Sequence, residues 1–233
     1  VPGWGSALRT TAPTVAAAAR SNPRGRIIVT GCYEARPPDE AGALPDVECV
    51  VHNHDKPRLL QLTVTSCGDG PCGATIEPGV AGRTAFTLRV QTGCAEPCSY
   101  CIIPTTRGTP RSVPLSDLLR EVARVSRAGF KEIALSGVHL GSYGRDLRPA
   151  SSLIELLSAL DIWSASLSGE RHDLLFRISS LEPMDCSHEV VDLVASSDRL
   201  APHFHLPLQH ARNRVLAAIR RPYTIQYYAA LVG

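Results

Sequence analysis

The sequence predicts an α/β chain: a small α/β unit, then a larger parallel sheet or barrel of alternating strands and helices. Three observations carry this. From Ala85 to Ile219, apolar runs of strand length alternate with segments of helical spacing. A turn-forming stretch without apolar periodicity, residues 63–82, separates that rhythm from a shorter strand–helix segment before it. The loops richest in reactive side chains follow predicted strands, where parallel α/β folds keep their chemistry.

The elements follow in order. Thr14 to Arg20 is Ala-rich and helix-favouring, and Asn22-Pro23 ends it. Arg26 to Thr30 reads as a buried strand running into Gly31-Cys32-Tyr33. Pro37-Pro38-Asp39 starts a short helix, Cys49 to Val51 forms a second strand, and Lys56 to Leu62 a second short helix. Cys67-Gly68-Asp69-Gly70-Pro71-Cys72-Gly73 marks the linker. Ala85 to Gln91 is the first strand of the repeat. Leu115, Leu118, Leu119, Val122 and Val125 then recur at helical spacing, with Ser116 near the start and Gly129 just past the end. Glu132 to Leu135, Leu174 to Ile178 and His203 to Pro207 are the next strands. Leu153 to Leu160, Glu189 to Ala195 and Arg214 to Ile219 are the helices between and after them. Trp163 to Asp173 is polar and Ser-rich, a surface loop. The expected boundaries are 1–62 for the first domain, 63–82 for the linker and 83–233 for the repeat.

Composition narrows the class. The 233 residues are 44% hydrophobic, enough to bury a core, and the net charge of +2 does not by itself mark a nucleic-acid binder. Eight cysteines occur without a basic-then-apolar leader or an apolar run of membrane-spanning length. That pattern favours metal-binding thiolates in a reducing cytoplasm over secreted disulfides. A start without Met and an abrupt stop at Gly233 read as a fragment.

Cys94-Ala95-Glu96-Pro97-Cys98-Ser99-Tyr100-Cys101 places three thiols within eight residues, directly after the first strand of the repeat. A cubane iron–sulfur cluster is wrapped by such short runs, and three protein ligands leave one iron open. A structural zinc site asks for a fourth Cys or His at comparable spacing, which this loop lacks. Cys67 and Cys72 form a pair without two further nearby ligands and read as ordinary thiols.

The Cys-x-x-x-Cys-x-x-Cys spacing with an aromatic before the last Cys resembles the radical S-adenosylmethionine enzymes. Further stretches resemble their methylthiotransferase branch. These are Val29-Thr30-Gly31-Cys32-Tyr33, Arg89-Val90-Gln91-Thr92-Gly93-Cys94, Cys101-Ile102-Ile103-Pro104 and Arg107-Gly108. Arg177-Ile178-Ser179-Ser180-Leu181-Glu182-Pro183 and His205-Leu206-Pro207-Leu208-Gln209 belong with them. Gly137-Val138-His139-Leu140-Gly141-Ser142-Tyr143-Gly144-Arg145-Asp146, preceded by Ser136, and Arg221-Pro222-Tyr223-Thr224 most resemble the branch that modifies threonylcarbamoyladenosine in tRNA.

The resemblance implies a partial radical S-adenosylmethionine (β/α) barrel and a transferase that places a 2-methylthio group on a modified adenosine beside the anticodon. It implies a catalytic 4Fe–4S cluster on Cys94, Cys98 and Cys101, with S-adenosylmethionine chelating the open iron. Tyr100, Ser136, Gly137 and Gln209 would contact that cofactor. Such enzymes hold a second, auxiliary 4Fe–4S cluster through three cysteines of the first domain. Cys32 matches the last of these, the other two have no counterpart, and the chain reads as truncated at both ends. Implied partners are a tRNA anticodon stem–loop and an electron donor such as flavodoxin or ferredoxin, with no membrane. Arg107, Arg111, Arg220 and Arg221 are candidate phosphate contacts. Leu208-Gln209-His210-Ala211-Arg212 departs from the family's usual Leu-Gln-Ser-Gly-Ser.

Two other classes stand beside this reading. His203 and His205, two apart on a predicted strand, share a face and would suit a metal-dependent barrel hydrolase. A non-catalytic iron–sulfur or zinc module would use the same cysteines without cleaving a cofactor.

Overall fold

The computed structural model describes residues 4–31, 39–52, 55, 59, 77–79, 84–166 and 174–233. The chain divides into two compact units. One comprises Val1–Cys72 with Tyr100–Gly108, the other Gly73–Ser99 with Thr109–Gly233.

In the first unit, helix α1 (Trp4–Ser21) precedes strand β1 (Ile27–Thr30), helix α2 (Asp39–Gly42) and strand β2 (Val47–Val51). β1 and β2 pair in parallel, Ile28 opposite Cys49 and Thr30 opposite Val51. A parallel pair needs a crossover, and the segment containing α2 provides it. Val15, Val29 and Ala41 form the small core, with Ile27, Leu44, Val47 and Val50 packed against it. The short helix α3 (Ile103–Arg107) also belongs to this unit. The helix expected over Lys56 to Leu62 lies outside the described residues apart from Leu59, as does most of the expected linker.

The second unit is built on a three-stranded parallel sheet of β3 (Ala85–Arg89), β6 (Glu132–Ser136) and β7 (Leu175–Ile178), in that order. Leu88 pairs with Leu135, and Leu135 with Ile178. β6 is central, and Ile133, Ala134 and Leu135 are buried in succession. Such an unbroken apolar run is what a strand covered on both faces requires. Two short strands, β4 (Gln91–Thr92) and β5 (Arg111–Ser112), form an antiparallel ladder beyond β3.

Helix α4 (Leu115–Arg127) connects β5 to β6 and buries Leu118, Val122 and Val125, three residues on one face. Each such burial stabilises the fold by roughly 1.5–3 kcal/mol. Gly129, at φ 92°, ends the helix. The Phe130 N–H then reaches the Val125 carbonyl at 3.4 Å, closing the turn as a Schellman cap does. Helix α5 (Leu153–Ser166) buries Leu153, Leu156, Leu157 and Leu160, and α6 (His188–Ser196) starts at the Ser187 cap. The helices α7 (Asn213–Ala218) and α8 (Ile225–Val232) complete the unit. No described helix is long and apolar enough to cross a membrane.

Two expectations are corrected. The strand expected at His203 to Pro207 is present only as isolated bridges of the following segment to β7, Phe176 to Leu200 and Ser180 to His205. The segment runs alongside β7, with Ala201 N–H on the Phe176 carbonyl and Leu181 N–H on the His205 carbonyl. Between those points the His203 N–H, which would continue the ladder, turns back onto the Ala201 carbonyl at 2.7 Å. The surface loop expected from Trp163 is, through Ser166, the last turn of α5, with Trp163 half-buried against the core. Residues 167–173 lie outside the described residues.

Candidate functional site

The site grows from the carboxyl end of β3. Val90 leaves the strand, donating to the Ser136 carbonyl at 2.8 Å and accepting from Val113 N–H at 2.9 Å. Gln91 follows, 1% exposed. Gly93 takes φ 76°, a left-handed turn suited to glycine, and the chain enters the cysteine loop. Cys94 is buried, Cys98 and Cys101 are half-buried, and none of the three is in a disulfide. The Glu96 N–H lies 3.4 Å from the Cys94 sulfur. Ser99 anchors the loop to the end of α7, its N–H on the Ile219 carbonyl and its hydroxyl on the Ala218 carbonyl, both at 3.2 Å.

The stretch after β6 packs around this stem, and nearly every residue has an assignable contact. A side chain at Gly137 would meet Leu140 Cδ2 at 2.7 Å and Gln91 Oε1 at 3.2 Å. The His139 ring is 5% exposed, with Nε2 2.7 Å from Asp185 Oδ2 and Nδ1 3.7 Å from Glu96 of the cysteine loop. The hydrogen bond to Asp185 holds the imidazole above its ordinary pKa of 6.5, against the burial that pulls it down. At Gly141 a side chain would overlap the Asp185 carboxylate. Tyr143 is buried with its hydroxyl donating to the Val113 carbonyl at 2.9 Å, and burial pushes its pKa up to about 12. Asp146 accepts from both the N–H and the hydroxyl of Ser112, at 2.8 and 2.6 Å. The motif therefore ties β5, the cysteine loop and the turn at Pro183–Asp185 to one another.

The loops beyond β7 are fastened separately. The Arg221 side chain, 6% exposed, pairs with Glu182 at 2.8 Å. Tyr223 donates to the carbonyls of Pro207 and Leu208 at 3.1 and 3.0 Å, and Tyr228 to that of Leu206 at 2.8 Å. These bonds hold the backbone leading to Gln209, which is exposed at φ 67°. His210 and Arg212 are exposed, with the Arg212 N–H on His210 Nδ1 at 3.0 Å.

Ser136 and Gly137 lie at the carboxyl end of β6 beside Gln91, next to the stem of the cysteine loop. Tyr100 is 41% exposed. Cys32, Cys67 and Cys72 fall outside the described residues. Arg221 is corrected from a phosphate contact to the buried partner of Glu182. Arg111 and Arg220 are exposed, and Arg107 is half-buried. His203 and His205 are exposed rather than set in a barrel interior, and His205 Nδ1 shares a 2.8 Å hydrogen bond with Ser180. Sequence reasoning missed Gln91, Asp185 and the Glu182–Arg221 pair as parts of the site. Gln91 has a local signal, a polar amide ending an apolar strand just before Gly93-Cys94. Asp185 has none, because its partner is 46 residues away.

The donor set suits an iron–sulfur cluster in number and kind: three thiols on irregular backbone, the first with an N–H directed at its sulfur. Among the described residues no three Cys, His, Asp or Glu side chains gather closely enough to hold one metal ion. The match therefore lies in donor chemistry and spacing, and metal sites of this kind draw their ligands together on binding.

The chain is 34% identical over 225 residues to the threonylcarbamoyladenosine tRNA methylthiotransferase MtaB of Bacillus subtilis, covering 91% of this chain and 48% of that protein. It is 32% identical over 239 residues to the Aquifex aeolicus protein of the same name, covering 97% and 56%. A tRNA-2-methylthio-N(6)-dimethylallyladenosine synthase of Carboxydothermus hydrogenoformans is 36% identical over 158 residues, covering 67% and 33%. The chain thus spans about half the length of the first two relatives. Among solved structures, the cobalamin-dependent S-adenosylmethionine radical enzyme OxsB superposes with TM-score 0.60 at 10% identity, over 98% of this chain and 37% of that one. The radical S-adenosylmethionine methyltransferase TsrM of Kitasatospora setae gives TM-score 0.51 at 16% identity, over 64% and 27%. Both likenesses support the fold. The Radical SAM superfamily match runs over residues 88–232, from the end of β3 through the cysteine loop to α8, and the chain belongs to that superfamily.

Proposed function

We propose that the chain is the cofactor-binding part of a cytoplasmic tRNA methylthiotransferase that acts on threonylcarbamoyladenosine beside the anticodon. The observation that carries this reading is the position of the cysteine loop, at the carboxyl end of the first strand of a parallel sheet whose family is radical SAM. Cys94, Cys98 and Cys101 hold a 4Fe–4S cluster there, and Tyr100, Ser136, Gly137 and Gln209 contact S-adenosylmethionine. When bound, the cluster supplies the electron that cleaves S-adenosylmethionine, and a flavodoxin or ferredoxin replenishes it.

The chain's own residues do the rest. Gln91 and Ser99 fix the two sides of the cysteine loop. His139 places a buried ring, its pKa raised by the Asp185 hydrogen bond, beside Glu96. Tyr223 and Tyr228 hold the backbone of Leu206 to Leu208, so that Gln209 reaches the cofactor from a set position. Cys32 is assigned to an auxiliary cluster whose other ligands belong to the first domain of the longer relatives. The domain limits follow the same reading: residues 1–62 on the auxiliary-cluster side, 63–82 as linker and 83–233 as the catalytic part.

Threonylcarbamoyladenosine is favoured over dimethylallyladenosine because, at about nine-tenths of the chain aligned, identity reaches 34% with one of its enzymes against 28% with a dimethylallyladenosine synthase. Mass spectrometry of tRNA nucleosides from cells with and without the encoding gene tests this. The reading expects loss of the 2-methylthio derivative of threonylcarbamoyladenosine. Loss of the dimethylallyl derivative instead would overturn the substrate, and no change in either would overturn the activity.

A further inference from the structure

Gln91 uses all of its hydrogen-bonding capacity in a place water does not reach. Its Oε1 accepts from the N–H groups of Val138 and His139, both at 3.0 Å. Its Nε2 donates toward the carbonyls of Thr92 at 3.0 Å and Gly93 at 2.8 Å, and toward Ser142 Oγ at 3.2 Å. A neutral carboxamide offers two donors and two acceptor lone pairs, so the acceptor end is saturated and the donor end is shared among three oxygens. Ser142 is itself committed, donating to the His139 carbonyl at 2.8 Å. The residue is 1% exposed.

No other common side chain of this size performs both roles. A carboxylate can accept from Val138 and His139 but only opposes the Thr92 and Gly93 carbonyls. A thioether of similar length does neither. The two ends of the amide serve different segments: one side the backbone entering Cys94, the other the turn after β6. We propose that Gln91 is the positioning residue of the cysteine loop, locking Gly93, and so the first cluster thiolate, to the Gly137–His139 turn. The proposal rests on the reading of Cys94, Cys98 and Cys101 as cluster ligands. Gln91 touches no reacting atom; it acts through Gly93 and Cys94, as outer contacts orient metal ligands elsewhere.

The test compares Gln91→Met and Gln91→Glu with wild type after anaerobic reconstitution with iron and sulfide. Leu157→Ala, in the core of α5, serves as a destabilised control remote from the loop. The readouts are iron per chain, loss of cluster absorbance to a chelator, the electron paramagnetic resonance spectrum with and without S-adenosylmethionine, and the urea midpoint. Both Gln91 variants should lose the cluster about ten- to a hundred-fold faster than wild type, the scale on which outer contacts to metal ligands act. Their spectra should also shift. Leu157→Ala, at an equal or lower urea midpoint, should retain cluster and spectrum. Wild-type retention in both Gln91 variants would overturn the proposal, as would equally fast loss in Leu157→Ala. If neither Gln91 variant folds, Ser142→Ala gives the same comparison: faster loss at an unchanged midpoint supports the proposal, and wild-type retention overturns it. A wild-type chain that takes up no cluster would refute the underlying cysteine assignment instead, so the two failures are distinguishable.

Discussion

A methyl group at Gly141 should break the ion pair behind the cysteine loop. The position lies in the tight turn Leu140–Ser142, and an added Cβ would overlap the carboxyl group of Asp185. That carboxylate has a one-carbon stem, its side chain is 10% exposed, and it is held 2.7 Å from His139 Nε2. It cannot swing clear without leaving the imidazole. The expected cost of Gly141→Ala is the charge-assisted hydrogen bond, about 1.5–3 kcal/mol, plus overpacking of about 1–3 kcal/mol. With a urea dependence of about 2–3 kcal/mol per molar, the upper part of the usual range for a chain of this size, the midpoint should fall by roughly 1–3 M. Because the clash requires Asp185, the effects of Gly141→Ala and Asp185→Ala should not add. The double variant should be more stable than their sum predicts by about 1–3 kcal/mol. Urea denaturation of the four proteins in the cycle provides the numbers. A Gly141→Ala midpoint equal to wild type, or strict additivity, would refute the account of this turn.

Reconstitution with iron and sulfide should give about four irons per chain. Replacing Cys94, Cys98 or Cys101 by Ala should abolish the cluster, whereas Cys49→Ala and Cys186→Ala should leave it intact; stoichiometric zinc in place of iron would contradict the assignment. The raised pKa of His139 means its protonated form is the stabilised one. The contribution should be whole below the ordinary value of 6.5 and lost as pH rises through the raised folded value. Urea midpoints of wild type and His139→Asn should therefore converge with rising pH, and a gap that widens instead would sink the assignment. Tyr223→Phe removes the donor to the Pro207 and Leu208 carbonyls. It should cost about 0.5–1.5 kcal/mol of stability, with an unchanged urea midpoint as the contrary result.

The alternation that predicts the parallel sheet is a local property of the chain, and the elements with the strongest local pattern are those the structure reproduces. Helix α4 carries three apolar residues on one face and a glycine stop, and β6 is a short apolar run covered on both faces. Where a partner decides the outcome, local pattern falls short. His203 to Pro207 has strand-like residues, yet its His203 N–H turns back onto the Ala201 carbonyl and only isolated bridges with β7 remain. Trp163 opens a polar stretch, yet its ring packs against the core and the helix runs on to Ser166. Arg221 reads as a surface cation until Glu182, 39 positions earlier in the chain, is placed beside it. The cysteines are legible because an eight-residue spacing is contiguous in sequence. The groups that brace them come from other loops, and only the fold brings Asp185 to His139 or Gln91 to Val138.

Cofactor cleavage tests the cysteine loop most directly. The reconstituted chain, given dithionite and S-adenosylmethionine under anaerobic conditions, should release 5′-deoxyadenosine, measured by chromatography and mass spectrometry. Cys94→Ala, Cys98→Ala and Cys101→Ala should each abolish that product, while Cys186→Ala should retain it. A wild-type chain that holds a four-iron cluster yet yields no 5′-deoxyadenosine, or a Cys98→Ala variant that yields as much as wild type, would contradict the radical reading.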